Sequence, residues 1–237
     1  MIEFDYKSLS KGGAALISGQ AIQALVAFAT NLVLVRHILP EGFGHFALVL
    51  AGASLLLSLI SLRVNVLIIR LGEREYTEDV KDLYFSAVSM ETVIALAVIL
   101  VWLMATGTAG LWEFLLVITL GLRHWVEQNR AFFERTMPYR KLAYVETLVA
   151  ITAHAAAATL VISGVGWVAL YIREIVLTIF SFVALSYVGG ITLRRFRLLT
   201  IGDWKNLIRE ARGGWLDSAL EGCFHRLAIL LAGFMVS

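Results

Sequence analysis

Ten ionisable side chains lie inside apolar stretches of the sequence, where charged groups are rare. At the centre of a membrane helix a charged side chain costs roughly 2.5–3.5 kcal/mol on insertion scales, so such residues are usually paired or functional. Ten such residues are more than a purely structural helix bundle needs. They are Glu91, Glu113, Glu146, His154, Arg173, Glu174, Asp217, Glu221, His225 and Arg226.

Two of these residues are expected to pair with each other. Arg173 and Glu174 are neighbours and point about 100° apart on a helix, so they cannot form the usual i, i+4 pair and each needs a partner elsewhere. Arg173 and Glu113 lie at similar depths in their predicted helices. The sequence therefore predicts a buried ion pair between Glu113 and Arg173.

The last apolar stretch carries Asp217, Glu221 and His225 at intervals of four residues, which places them on one helical face. Such a face is unstable against lipid. We expect it to look into a cavity or towards a neighbouring bundle.

The first apolar stretch has one polar face, because five of its residues fall within about 100° of arc. They are Gln20, Gln23, Ala27, Thr30 and Asn31. Amide side chains commonly join membrane helices by hydrogen bonds, and this is one interpretation. The other is the wall of a water-filled cavity.

The second apolar stretch carries small residues at intervals of three and four, a pattern that close helix packing explains. They are Ala47, Ala51, Ser54, Ser58 and Ser61. Arg63 falls on the opposite face near the end of this stretch, where it either faces a vestibule or extends its side chain to the membrane surface.

A ladder of alternating charge follows the fourth apolar stretch, with spacings that place its members on one helical face. It consists of Arg123, Glu127, Arg130 and Glu134. The pattern is typical of a solvated helical extension, and in a transporter the same ladder could line the mouth of the pathway.

Motifs for enzyme chemistry are missing from the sequence, which contains no HExxH, nucleophile elbow, Walker loop or paired cysteines. Cys223 is the single cysteine, so it has no disulfide partner and we expect it to be a packing residue. We expect no metal and no cofactor, and a protein that is not an enzyme. An embedded enzyme that needs only a carboxylate and a histidine stays open as an alternative.

The chain of 237 residues is 59% hydrophobic and only 16% charged, against roughly 25% charged in soluble domains. Its apolar residues form blocks of about 20, the length that crosses a membrane as a helix. We predict an all-α polytopic membrane protein with a six-helix N-terminal bundle and a seventh transmembrane helix. The predicted helices are 13–35, 43–62, 85–106, 109–125, 142–163, 166–189 and 214–236.

Lysine and arginine are distributed unequally between the two sides that these helices would connect. Seventeen lie in the N-terminal tail and the second, fourth and sixth connections, whereas Arg36 alone lies in the others. By the positive-inside rule the N-terminus and the long loops are cytoplasmic. Since the basic residues are spread over short loops, we read them as topology signals and expect no nucleic-acid partner.

Three regions are expected along the chain. Residues 1–189 form the transmembrane bundle, 190–213 a cytoplasmic connection, and 214–237 the start of a second bundle. The connection carries apolar residues among charges, which suits either an amphipathic helix on the inner surface or a solvated linker.

Two stretches carry a family resemblance that covers almost the whole chain. One is VRHILPEGFGHFALV, which joins the first two predicted helices, and the other is FFERTMPYRKLAYVE, followed by an alanine-rich helix and GVGWVAL. Their order resembles the N-terminal half of the polysaccharide (O-antigen, lipid-linked oligosaccharide) flippases, which belong to the multidrug, oligosaccharidyl-lipid and polysaccharide exporter superfamily.

This resemblance implies a polysaccharide biosynthesis membrane protein of the bacterial cytoplasmic (inner) membrane. It would move an undecaprenyl-pyrophosphate-linked oligosaccharide, of the lipopolysaccharide O-antigen kind, from the inner to the outer leaflet by alternating access. Membrane lipid and polysaccharide assembly proteins are the other expected partners. It also implies a cationic cavity, with Arg63 and Arg36 at helix ends matching its arginines. With the polar face of the first helix, the expected substrate contacts are Arg63, Arg36, Gln20, Gln23 and Asn31. On an ideal helix Arg36 points about 180° away from that polar face, so it serves the cavity only if the helix bends.

Two rival functions stay open at the level of sequence. A cation-coupled multidrug exporter of the same superfamily would use acidic cavity residues such as Glu91, Glu146 and Glu174. A non-transporting fragment that only binds a partner is the other, because members of the family have twelve or more membrane helices. The sequence stops in the predicted seventh helix, which predicts that residues 1–237 alone cannot move substrate.

Overall fold

A computed structural model describes residues 6–136 and 139–236, which form helices and no strand. The all-α prediction is confirmed. The helices in these ranges are α1 (Tyr6–His37), α2 (Pro40–Ile60), α3 (Val64–Arg70), α4 (Glu78–Ala105), α5 (Leu111–Asn129), α6 (Ala131–Glu134), α7 (Tyr139–Ile162), α8 (Val168–Tyr187) and α9 (Ile201–Val236).

Five helices in the described part of the chain are long and apolar enough to cross a membrane, which makes the protein a multi-pass membrane protein. Helix α5 lies at the predicted fourth span, but Glu113, Arg123 and Glu127 make it too charged to be counted with them. The count of six spans plus a seventh stays a prediction. The five apolar segments are Gly13–His37, Pro40–Ile60, Glu78–Ala105, Tyr139–Ile162 and Val168–Tyr187.

Helix α9 begins thirteen residues before the predicted start of the seventh span and passes without a break through Gly213 and Gly214. The polar composition of this region suggested a connection, yet two glycines weaken a helix by only about 1 kcal/mol each. Residues 190–200 precede it without helical structure. The amphipathic stretch and the last apolar stretch are therefore one helix.

A reciprocal pair of hydrogen bonds sets the start of α9. The Asp203 backbone N–H donates to Thr200 Oγ1 (3.2 Å), and the Thr200 N–H donates to Asp203 Oδ2 (2.9 Å), an arrangement known as a capping box. Hydrogen bonds from the Thr200 backbone and side chain hold the pKa of Asp203 below its usual range. Helix α4 begins in a similar way, because Thr77 accepts the Val80 N–H.

The helices pack in two connected groups. The first group is α1, α7 and α8, in which α7 packs between the other two. The second group is α2, α4 and α5, with α9 along α2. The contact of α8 with α5 joins the two groups. Leu34 of α1 and Ile38, the residue after its end, belong to the main core. Gly52 lets α2 and α4 approach closely, since a Cβ there would lie 2.4 Å from the Trp102 ring.

One end of the bundle is closed, and we call it the turn end because the connections 38–39, 106–110 and 163–167 lie there. Tyr171 is fully buried at this end. Its ring contacts Phe46 and Trp167 edge to face, with centroids 5.1 and 5.5 Å apart. Helices α3 and α6 lie at the opposite end, which we call the α3 end.

Candidate functional site: a charged cavity

A cavity of about 800 Å³ lies between α2, α5, α8 and α9, with Asn31 of α1 at its edge. It extends from Phe43 and Phe46 near the turn end to Arg63 and Asn65 at the α3 end. Both signs of charge line it. The titratable residues on its wall are Arg63, Arg123, Arg173, Arg226, Glu127, Glu174, Glu221 and His124.

The small-residue stripe of α2 forms one wall of this cavity. Packing against α9 is also close, because a Cβ on Gly222 would lie 2.1 Å from Ser58 Oγ. The stripe therefore packs against a neighbouring helix, as expected, and also leaves open space beside it. Its members on the cavity wall are Ala47, Ala51, Ser54, Ser58 and Ser61.

Arg63 lies on the same wall, although a continuous helix would turn it about 200° away from Ser61. Helix α2 ends at Ile60, and Arg63 adopts a left-handed conformation with φ 52° and ψ 48°. Among the described residues it is the only one other than glycine with positive φ. This conformation costs an L-residue about 1–2 kcal/mol, and it brings the Arg63 side chain into the cavity.

Arg63 faces two carboxylates of α9 at long range. Its Nη1 lies 3.8 Å from Asp217 Oδ2 and 4.0 Å from Glu221 Oε2, and both carboxylates are largely exposed. These separations exceed hydrogen-bond length, so the guanidinium donors stay available to a ligand. The predicted polar face of α9 thus lies beside Arg63, and the side chain of His225 lies outside the described residues.

Side chains from two other helices support the break between α2 and α3. Glu91 of α4 is almost fully buried, and its Oε2 accepts the Leu62 N–H (3.1 Å). The other oxygen, Oε1, lies 2.8 Å from His124 Nε2 on the cavity wall. Gln128 of α5 accepts the Asn65 N–H (2.8 Å).

Glu174 of α8 joins two cavity arginines. Its Oε1 accepts hydrogen bonds from Arg173 Nε (3.1 Å) and Nη2 (2.9 Å), and its Oε2 accepts one from Arg123 Nη1 (3.2 Å). The expectation that the neighbours Arg173 and Glu174 need separate partners is wrong. A long arginine side chain can fold back onto the adjacent carboxylate.

The predicted pair of Glu113 and Arg173 is not formed. Glu113 accepts hydrogen bonds from Tyr171 Oη (2.8 Å) and lies 3.0 Å from His45 Nε2 at the turn end. Equal depth in the membrane does not make two residues partners, because direction around the helix also matters. Tyr171 and Arg173 are two residues apart on α8, so their side chains point about 200° apart. Tyr171 faces α5, so Arg173 points elsewhere, whereas Glu174 returns to the side of Tyr171 and meets Arg123.

A smaller cavity of about 280 Å³ adjoins the first between α5, α7 and α8. The charge ladder borders it, with Arg123 Nε 2.9 Å from Glu127 and Arg130 Nε 2.7 Å from Glu134. Arg130 also contacts Glu146 of α7. The ladder thus lines cavities as well as forming pairs along α5 and α6.

The remaining predicted site residues are dispersed. Asn31 borders the main cavity, and Gln23 borders the smaller one and donates to Thr147 Oγ1 (3.4 Å). Gln20 and Arg36 are exposed and line neither cavity. Since α1 continues unbroken to His37, Arg36 stays on the side that the ideal helix predicts.

Sequence reasoning assigned neither Arg226 nor His124 to the cavity, and it placed Arg123 at a transport pathway only as one alternative for the charge ladder. Arg123 stood out as a member of the ladder and Arg226 as a buried charge, but neither pattern identifies the neighbouring helices. His124 carried no signal, because its partner Glu91 is 33 residues away. In residues 6–136 and 139–236, no three His, Cys, Asp or Glu side chains group together as metal ligands.

Comparison with known proteins gives one match. A family described as "Polysaccharide biosynthesis protein" matches residues 9–235. Neither the curated proteins nor the solved structures give a significant match to the chain.

Proposed function

The chain belongs to the polysaccharide biosynthesis protein family, and from this premise we propose that it is a flippase-type carrier for a lipid-linked oligosaccharide. As a multi-pass member of this family it has a role in polysaccharide biosynthesis at a membrane. The proposal adds the reaction, which is transfer of an undecaprenyl-pyrophosphate-linked oligosaccharide between the leaflets of the bacterial cytoplasmic membrane.

The observation that carries the proposal is the set of arginines on one cavity wall. Arg63 has no carboxylate within hydrogen-bond distance, and Arg226 forms no ion pair within 4.0 Å among the described side chains. Both lie beside the same turn of α9, near Glu221 and Gly222. Guanidinium groups bind phosphate oxygens by paired, charge-assisted hydrogen bonds, so this wall suits a diphosphate.

The shape of the bundle supports a carrier in which access alternates between the two ends. The cavity reaches Arg63 and Glu127 at the α3 end, whereas Tyr171, Phe46 and Trp167 pack together across the turn end. Binding of a diphosphate to Arg63 would displace its distant carboxylate neighbours. Opening the turn end would then require the contact of Tyr171 with Glu113 to separate, as in rigid-body rocking of helix groups.

A binding measurement tests the proposal on the whole chain in detergent micelles. Farnesyl diphosphate serves as a soluble prenyl diphosphate probe, with farnesol as the control that lacks phosphate. We expect Arg63→Gln and Arg226→Gln each to raise Kd about tenfold or more, as expected for loss of a charge-assisted hydrogen bond. Arg36→Gln is the matched control and should bind like the wild type. Equal Kd values for wild type and Arg63→Gln would refute the assignment of the cationic wall.

A second candidate function is favoured by the three carboxylates on the cavity wall, Glu127, Glu174 and Glu221. They suit a cation-coupled exporter of cationic drugs. Ethidium binding that depends on Glu221, together with no binding of farnesyl diphosphate, would favour this exporter over the flippase.

A further inference from the structure

We propose that Glu91 is a positioning residue, whose carboxylate accepts the Leu62 backbone N–H, holds the break between α2 and α3 and thereby keeps Arg63 on the cavity wall. That Glu91 affects anion binding rests on the proposed function. That Glu91 fixes the backbone geometry of Arg63 is independent of it.

The break leaves backbone donors that no helix bonds satisfy. The Ser61 N–H still donates to Leu57 O at the end of α2, and the next backbone hydrogen bond is the tighter i, i−3 turn from Val66 N–H to Arg63 O (2.9 Å) at the start of α3. The donors of Leu62, Arg63, Val64 and Asn65 lie between these points, and side chains accept three of them, those of Leu62, Arg63 and Asn65. A buried backbone N–H without an acceptor is costly, so the break persists only where side chains provide acceptors.

Three side chains provide them. The Leu62 N–H donates to Glu91 Oε2 (3.1 Å), the Arg63 N–H to Ser61 Oγ (3.2 Å), and the Asn65 N–H to Gln128 Oε1 (2.8 Å). Ser61 belongs to the break itself. Glu91 and Gln128 come from α4 and α5, so these two fix the break relative to the bundle.

Glu91 is itself held firmly inside the bundle. Only 2% of it is exposed, and its Oε1 is held 2.8 Å from His124 Nε2, which fixes the carboxyl group in place. A buried carboxyl group without a structural or functional task would be replaced at little loss by an apolar residue of similar size. Its contacts with the break supply that task.

The break determines the direction in which the Arg63 side chain points around the helix axis. If the three donors of the break regained helical partners, α2 would continue and residue 63 would point about 200° from Ser61, away from the cavity. The left-handed conformation at Arg63 is thus coupled to the acceptors, because the backbone reaches that conformation only while its donors are bound elsewhere. The position of Arg63 on the cavity wall therefore depends on Glu91, a residue of α4.

Two substitutions at position 91 separate an acceptor role from a role of charge. Glu91→Gln keeps a carbonyl oxygen for the Leu62 N–H and an amide for His124, whereas Glu91→Leu keeps the volume and loses the acceptor. Thr92→Val is the matched control, since Thr92 is buried on the same helix turn and bonds only to Val88 O. We expect Glu91→Gln and Thr92→Val to behave like the parent protein, and Glu91→Leu to differ.

The first measurement follows position 63 directly and needs no ligand. With Cys223→Ser and Arg63→Cys, the rate of labelling by a charged methanethiosulfonate reports exposure of position 63 to the cavity. We expect Glu91→Leu to slow labelling about fivefold or more, by loss of the left-handed break. Glu91→Gln should leave the rate unchanged. Size-exclusion elution of each variant shows that the bundle is folded.

The second measurement is a double-mutant cycle with farnesyl diphosphate as the probe. Glu91→Leu should raise Kd about tenfold in the parent and have no further effect when Arg63→Gln is present, because it acts through Arg63. Its effect on thermal stability should be the same in both backgrounds, which separates positioning from general damage.

Each outcome decides a claim. The inference is overturned if Glu91→Leu is labelled at position 63 as fast as the parent. It is also overturned if Glu91→Gln slows labelling as much as Glu91→Leu does. If the wild type binds no farnesyl diphosphate, the proposed function fails, and the labelling rates alone decide the role of Glu91.

Discussion

Tyr171 of α8 donates a hydrogen bond of 2.8 Å to the buried carboxylate of Glu113 on α5, across the closed end of the bundle. The bond joins the two groups of helices at the turn end. It therefore bears directly on how firmly that end is closed.

Removing this hydroxyl should weaken the closed end. Tyr171→Phe preserves the ring packing and leaves Glu113 with His45 alone, so we expect a loss of roughly 0.6–1.7 kcal/mol, the range for polar contacts in membrane bundles. Thermal unfolding in detergent measures it. Tyr144→Phe is the control, because Tyr144 is exposed. Equal melting temperatures for both variants would show that the bond contributes nothing to stability.

Glu174 is expected to have opposite effects on stability and on anion binding. Glu174→Gln leaves Arg123 and Arg173 without their shared carboxylate, which should lower stability by roughly 1.5–3 kcal/mol, the range for hydrogen bonds to charged groups. The same change frees the guanidinium of Arg173 and the Nη1 group of Arg123, whose Nε stays bound to Glu127, and it should tighten binding of farnesyl diphosphate.

Glu127→Gln is the comparison for that variant, since Glu127 is more exposed and contacts Arg123 alone. It should cost less stability than Glu174→Gln. Weaker probe binding by Glu174→Gln would mean that the carboxylate orders the arginines for the ligand instead of competing with it.

Two glycines of α2 should respond differently to the same substitution. At Gly52 a Cβ would lie 2.4 Å from the Trp102 ring, so Gly52→Ala forces α2 and α4 apart and should cost about 1–3 kcal/mol. Gly44 has no atom within 4 Å of its Cβ position, so Gly44→Ala should be neutral or stabilising. Melting temperatures compare the pair, and a tolerated Gly52→Ala would contradict the close approach of the helices.

The orientation of the chain is testable by cysteine labelling from outside intact cells on a Cys223→Ser background. We expect labelling at Thr106→Cys and Ser163→Cys, and none at Arg195→Cys, because the basic connections should be cytoplasmic. Thr106 and Ser163 are suitable positions, since the adjacent Gly107 and Gly164 have positive φ and would be strained by substitution. Labelling at Arg195→Cys alone would reverse the topology.

The start of α9 should depend on pH through Asp203. The pKa of Asp203 is lowered in the folded chain, so its stabilising effect is present above the ordinary value of about 3.9 and is lost as pH falls through the folded value. Asp203→Asn keeps a capping oxygen without that titration. The difference in melting temperature between wild type and Asp203→Asn should therefore shrink on acidification, and a constant difference would exclude this contribution.

The sequence predicted the helices well because apolar blocks of about 20 residues have one common solution in a membrane. It placed the end of the second helix at residue 62, but it did not predict α3 or the left-handed conformation of Arg63, since Ser61, Leu62 and Arg63 include neither glycine nor proline. The break between α2 and α3 depends on acceptors from Glu91 and Gln128, which are far away in sequence and become neighbours only when α2, α4 and α5 pack.

The ion pairs were harder to predict for the same reason. Depth along a helix follows from sequence position, and it correctly placed Glu113 near the turn end. Direction around the helix relative to a neighbour follows only from packing. The prediction of Arg173 as the partner of Glu113 failed because Arg173 points in another direction around α8, whereas Tyr171 points at Glu113.

Because α9 is one unbroken helix, its start at Ile201 is rigidly connected to Arg226 on the cavity wall. Its 36 residues extend for about 54 Å, and Arg226 lies roughly 37 Å from Ile201 along the axis. A tilt of about 5° around the start of α9 displaces Arg226 by roughly 3 Å relative to the wall of α2. Since α9 forms one wall of the cavity, a tilt about its start, next to the bond from Arg197 N–H to Ser86 Oγ of α4, would change the width of the cavity most at Arg226.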